Sequence, residues 1–317
     1  MVLLRDRRRT SIFTTWKDGR RAMRRIELAK AMLPFRGIHL IHGSAVLALG
    51  VWFCMACVTA KADEIKSKTP TALFGFVDET DVIDKGVINP KYFFNPSLSP
   101  GSQTWEQKFQ VNYGVTERFE AGLAITYAPT FNVGGVNDNR VTSLVAPLQY
   151  VLIQRMQNGT GVAWYSVPSI GWQNNGSLPS QNQWSFDNHL AIDHDFDGKY
   201  FLGFNLGYTA ANTYGSGQSN PSGTVYVSAG YTVKFGHNVY WGVQAQLSQQ
   251  LNSYFTDPAG WAAFVGTSVS IPFSPSFTLA ATYMRQIVGG VNGMPQANLN
   301  TQDFSLNRGR VVLSFYF

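Results

Sequence analysis

From about residue 105 to its C-terminus the chain alternates with period two. In Tyr200-Phe201-Leu202-Gly203-Phe204-Asn205-Leu206-Gly207-Tyr208 the even positions are large and apolar or aromatic, while the odd ones are mostly Gly and Asn. In Trp241–Ser248 the odd positions are apolar and every even one is small or polar. Side chains of a strand point alternately to its two faces, so each segment is a strand with one apolar and one polar face. The pattern recurs in Trp105–Val115, Phe119–Tyr127, Val225–Phe235, Trp261–Phe273, Phe277–Tyr283 and Phe304–Phe317. Less regular versions lie at Gly86–Asn95, Leu144–Gln154, Val162–Trp172 and Trp184–Phe196, which brings the expected total to twelve strands.

The links between these segments divide into two classes. Short turns are expected at Thr116-Glu117-Arg118, Gln157–Gly161, Asp197-Gly198-Lys199, Gly236-His237-Asn238 and Ser274-Pro275-Ser276. Longer polar loops are expected at Pro96–Gln103, Pro129–Arg140, Asn174–Asn182, Ala210–Ser222, Ser253–Ala259 and Gly289–Thr301. Long and short alternate through all the links. An even number of antiparallel strands, with tight turns at one rim and long loops at the other, is the layout of a bacterial outer-membrane barrel. Closure follows from physics, because an unpaired strand edge in hydrocarbon leaves backbone polar groups uncompensated at several kcal/mol each. The expected fold is therefore all-β, a transmembrane antiparallel up-and-down β-barrel of about twelve strands.

Composition supports a surface that faces something other than water. Only 14% of the 317 residues are charged, against roughly a quarter in soluble domains, and 14% are aromatic. Aromatic residues cluster at both strand ends: Tyr113, Phe119, Phe196, Tyr200, Phe235, Trp241, Phe273 and Phe277 near the short turns, and Tyr127, Trp172, Trp184, Tyr208, Trp261 and Tyr283 near the long loops. Two such belts are the interfacial girdles of a membrane barrel. A two-sheet soluble sandwich also alternates, but here the polar face is Gly, Ser, Thr, Asn and Gln rather than a packed core.

The first 62 residues read differently. They carry 12 of the 25 Lys and Arg and 3 of the 19 Asp and Glu, a net of +9, so the rest of the chain is at −3 and the basic overall balance is no sign of nucleic-acid binding. A basic stretch with Arg20, Arg21, Arg24, Arg25 and Arg36, an apolar run from Ala45 to Val58, and the exit Ala60-Lys61-Ala62 make an extended signal peptide cleaved after Ala62. A signal anchor is the alternative, and a start at Met23 or Met32 gives a leader of ordinary length. Both cysteines, Cys54 and Cys57, fall in this leader, which excludes thiol chemistry from the mature chain. Residues 63–85 are expected as a periplasmic N-terminal segment and 86–317 as the barrel.

The C-terminus, Val311-Val312-Leu313-Ser314-Phe315-Tyr316-Phe317, places Leu313, Phe315 and Phe317 on one face of the last strand. It looks like the signal that the outer-membrane assembly machinery reads. That machinery and outer-membrane lipid are expected partners.

Candidate site residues lie on the polar face. Glu106, Lys108, Arg308 and Arg310 point inward from the strands flanking the first, with Glu106 and Arg308 at similar depth, which suggests a mixed-sign constriction that filters solutes by charge and size. Salt bridges that simply fill a narrow barrel are the competing reading. Asp187 and His189, with Asp193 and Asp195, form another inward row, where His189 oriented by Asp187 admits a base or metal reading. No serine stands in a nucleophile motif, so a polar wall is favoured over catalysis, and no catalytic, metal or cofactor residue is expected. Gln244, Gln246 and Gln250 with Ser228, Thr232, Ser268, Ser270, Thr278 and Thr282 make an uncharged wall suited to neutral solutes.

The opening Phe74-Gly75-Phe76, then Asp81 and Lys85-Gly86, and the hairpin Tyr113-Gly114-Val115-Thr116-Glu117-Arg118-Phe119 resemble the outer-membrane barrels of the phenol-degradation meta-pathway family. The resemblance implies a transporter for small aromatic or hydrophobic compounds. The expected function is an outer-membrane channel or uptake protein for small solutes, set against an outer-membrane lipid hydrolase or an adhesive barrel.

Overall fold

The computed structural model describes residues 73–317, apart from 133–138, 156–158, 176–177, 216, 237 and 293–297. The expected leader, its cleavage position and both cysteines lie outside the described residues. The strands are β1 (Ile88–Ser99), β2 (Ser102–Thr116), β3 (Phe119–Asn132), β4 (Asn139–Val145), β5 (Leu148–Ile153), β6 (Thr160–Asn175) and β7 (Leu178–Phe196). They continue as β8 (Tyr200–Gly215), β9 (Gln218–Phe235), β10 (Val239–Leu251), β11 (Pro258–Ser274), β12 (Phe277–Val291) and β13 (Asn307–Phe315).

All join one antiparallel sheet that closes on itself, because β1 pairs with β2 on one side and with β13 on the other. Both β4 and β5 lie between β3 and β6, so together they form one stave of a twelve-stranded barrel. The interruption falls at Ala146-Pro147, inside a segment expected as one strand. Proline has no N–H to give the ladder. Neighbouring strands bridge the gap: Ala146 N–H donates to the Pro168 carbonyl at 3.0 Å, and Gly122 N–H to the Pro147 carbonyl at 2.8 Å.

Burial follows the period-two pattern. Along β8 the even residues Tyr200, Leu202, Phe204 and Leu206 are exposed on the outside, and Phe201, Gly203, Asn205 and Gly207 are buried inside. Most girdle aromatics named above, including Trp172, Trp241, Trp261 and Tyr283, are exposed on the outer wall. At the C-terminus, Phe315 stacks on Phe277 with centroids 5.0 Å apart. Phe317 and Ile88 exchange two backbone hydrogen bonds of 3.0 Å, adding to the seam between first and last strands.

The rims differ from expectation in one respect. Several stretches expected as long loops are strand: β1 runs on to Ser99 and β8 to Gly215, leaving links of two residues, 100–101 and 216–217. Gly, Asn, Ser and Thr lack the apolar alternation that marks lipid contact, yet their backbones pair as well in water as elsewhere. Thr213 thus faces Asn220 in register beyond the apolar band. Residues 252–257 and 292–306 remain long connections.

The interior is occupied. Residues 73–84, the described part of the segment expected to precede the barrel on its periplasmic side, run inside the ring of strands. Leu73, Phe74, Val77 and Thr80 are almost completely buried there.

Candidate functional site

The inner segment has no strand partner, so its backbone groups depend on side chains of the wall. Phe76 N–H donates to Gln244 Oε1 at 3.1 Å, Thr80 N–H to Asp193 Oδ2 at 2.9 Å, and Ile83 N–H to Glu120 Oε2 at 2.9 Å. The Gly75 carbonyl accepts from Arg310 Nη1 at 2.7 Å, and the Leu73 carbonyl accepts from Thr232 at 3.2 Å. Gln149 donates to the carbonyls of Glu79 and Asp81, and Tyr165 also donates to Glu79. With its amide turned to satisfy both ends, Asn205 meets the backbone N–H and carbonyl of Asp78. The uncharged wall read from the sequence therefore serves partly to hold this plug.

Packing fixes the plug as well. Phe74 lies against Gly203 and Gly230, where an added Cβ on either would come within 2.9 Å of its ring. It clusters with Leu73, Val77, Phe201 and Tyr240. Gly75 has φ of +78°, and a Cβ there would meet Thr282 Oγ1 at 1.8 Å, so a side chain is excluded both by conformation and by space. Phe76 packs toward Ala262, Phe264 and Met284, which Phe304 also covers from the 292–306 connection.

Ion pairs complete the attachment. Arg155, in the link between β5 and β6, bridges Asp81 of the plug and Asp193 of β7, the latter at 2.9 Å. His189 Nδ1 meets Asp187 at 2.8 Å, and its Nε2 faces Asp78 of the plug at 3.1 Å, a distance for charge attraction without hydrogen-bond alignment. The ring also stacks on Tyr165 at 4.4 Å. Asp187 further accepts from Thr209 and Tyr226. With a carboxylate at each ring nitrogen, His189 links the wall to the plug.

Between the plug and the wall of β13, β1, β2, β3, β5, β6, β7 and β9 remains a cavity of about 280 Å³. Lys108, Asp187, His189 and Arg310 of the sequence-derived site line it, joined by Asp78, Lys91 and Glu120. Glu106 and Arg308 do not line it. Glu106 accepts from Asn95, whose Oδ1 receives Arg310 Nε at 3.3 Å. Arg308 turns the other way, with its guanidinium 3.6 Å from the Phe264 ring centroid and Nη2 donating to Gln246 at 3.4 Å. The expected mixed-sign group is thus split: Arg310 and Lys108 face the cavity, and Arg308 braces the aromatic packing opposite. Asp193 is spent on Arg155 and Thr80, and Asp195 accepts from Gly198 N–H in the adjacent turn.

Among the residues missed from the sequence are Asp78, Lys91 and Arg155. Asp78 and Arg155 sit outside the alternating segments, and Lys91 sits in a strand whose alternation is interrupted in sequence by Pro90 and Pro96, so periodicity carried no signal for them. No group of His, Cys, Asp and Glu able to hold a metal ion occurs among the described residues.

Among solved structures, the chain is similar to an outer membrane channel from Pseudomonas putida F1, at 10% identity over 75% of this chain and 98% of that one, with a TM-score of 0.53. It is also similar to the beta domain of the Bordetella autotransporter Brka, at 11% identity over 73% and 99%, with a TM-score of 0.51. At these identities the likeness concerns the fold, and it agrees with the closed twelve-stranded ring. No curated protein matches the sequence. A family profile matches residues 66–317, covering the plug and the whole barrel, and its description is one of unknown function rather than of phenol degradation. The chain thus has the fold of an outer-membrane barrel and belongs to the family of unknown function DUF6662.

Proposed function

We propose that this protein is an outer-membrane channel or uptake protein for small solutes, inserted by the barrel assembly machinery, in which residues 73–84 set the width of the passage. The observation that carries the reading is the way the plug is held. Wall side chains bind it, with no backbone ladder, beside a charged cavity of about 280 Å³. Such an attachment is released by exchanging a handful of side-chain bonds, whereas a strand of the barrel is not. Aromatic and hydrophobic compounds belong among the solutes to be tried, following the resemblance to the phenol meta-pathway barrels. A carboxylate beside each ring nitrogen of His189 supports a holding role for this residue over a catalytic one.

Planar-bilayer recording of the mature chain beside a variant lacking residues 73–84 tests the proposal. Small currents in the intact protein and several-fold larger ones in the variant are expected. Silence in both, with each protein folded by heat-modifiable migration, overturns it. Lipid hydrolysis lost on His189→Ala supports the enzyme instead.

A further inference from the structure

We propose that the luminal cavity is a binding site for a small organic anion, a carboxylate, received by Lys91, Lys108, Arg310 and Ser314. The inference deepens the channel reading, on which its meaning for transport rests, by naming a class of solute.

The argument is one of unequal satisfaction. Three of the five carboxylates lining the cavity are well supplied with donors. Asp187 has His189, Thr209 and Tyr226, Glu120 has Ile83 N–H and Asn112, and Asp81 has Arg155. Asp78 faces His189 without a hydrogen bond, and Glu79 accepts from Leu73 N–H on Oε1 while its buried Oε2 has no hydrogen-bond partner. The cations are served differently. Among the described residues, Lys91, Lys108 and Arg310 have no carboxylate within ion-pair distance. Lys108 lies 4.0 Å from the centroid of the Phe93 ring, and Arg310 spends Nη1 and Nε on the neutral oxygens of Gly75 and Asn95.

These groups sit together because of strand register. Lys91 on β1 pairs with Ser314 on β13 and with Gln110 on β2, and two residues further on Phe93 pairs with Lys108. Ser314 supplies an independent sign of a missing ligand: it is 1% exposed, lines the cavity, and its Oγ has no hydrogen-bond partner. Cations drawn from water into a narrow lumen carry a desolvation cost that a bound anion offsets. Phe93, Leu148, Val167 and Val312 give the same cavity apolar walls for the body of such a molecule. A cavity of about 280 Å³ has room for a small aromatic or aliphatic acid.

Calorimetric titration of the folded, detergent-solubilised mature chain with benzoate, and with phenol as the neutral ring of similar size, tests the site. Benzoate is expected to bind and phenol to fail at the same concentration. The double variant Lys91→Gln/Lys108→Gln is expected to weaken benzoate by at least about tenfold, the scale of losing charge-assisted bonds, while Lys91→Arg/Lys108→Arg keeps most of the affinity. Phenol binding as tightly as benzoate overturns the proposal, as does undiminished benzoate binding in a folded Gln variant. Should the Gln variant not fold, the benzoate and phenol comparison on the native chain decides alone. Titration requires no ion current, so a silent bilayer counts against the channel and not against the anion site. A conducting protein that prefers phenol does the reverse.

Discussion

Arg155 ties the plug to the wall through two carboxylates. Its side chain is 2% exposed and that of Asp193 is 0% exposed. Breaking a buried pair by removing one partner leaves a charge uncompensated, at a cost of about 3–5 kcal/mol. Arg155→Met is therefore expected to lower the urea midpoint of the heat-modifiable form, and Arg155→Lys to restore part of it; an unchanged midpoint in the Met variant counts against this role. Gly203 acts through space, since a Cβ would lie 2.9 Å from the Phe74 ring. Gly203→Val should displace Phe74 and raise single-channel conductance while the barrel stays folded; equal conductance places the plug elsewhere under recording conditions. Neither residue stood out in the sequence as part of a site. A glycine on a polar strand face looks like any other small luminal residue, and an arginine in a turn looks solvated.

At the scale of elements, the last strand closes the ring. Phe317 exchanges two backbone bonds with Ile88, and Phe315 stacks on Phe277. Deleting Phe317 removes part of the seam between β1 and β13 together with the terminal residue of the expected assembly signal. Its yield in outer membranes should fall several-fold relative to the native chain, measured by the heat-modifiable fraction; full yield would separate closure from recognition. Strand ends were less legible than strand centres. The segments Phe119–Tyr127 and Phe277–Tyr283 start where the structure starts them, but β3 reaches Asn132 and β12 reaches Val291. Beyond the lipid, both faces of a strand are wet and the alternation that reveals it disappears.

For the whole molecule, the controlling fact is an outer wall rich in exposed apolar and aromatic side chains around an interior sealed from hydrocarbon. Trp105, Trp164, Trp172, Trp241 and Trp261 all point outward and are more than a third exposed. Tryptophan emission of the reconstituted mature chain should therefore be quenched strongly by brominated lipid tails and weakly by an aqueous quencher. The opposite ranking would mean that lipid does not touch this wall.

Alternating side chains along each strand determined the barrel, its strand number and the inward direction of Lys108, Asp187, His189 and Arg310, because period two is a local property that any short window displays. The occupied lumen was decided by tertiary structure. Phe74 meets Gly203 and Gly230, Arg155 meets Asp81 and Asp193, and Lys91 comes beside Ser314 only when the ring closes. Those contacts join residues from 38 to 223 positions apart, a separation at which no local pattern registers who will be whose neighbour.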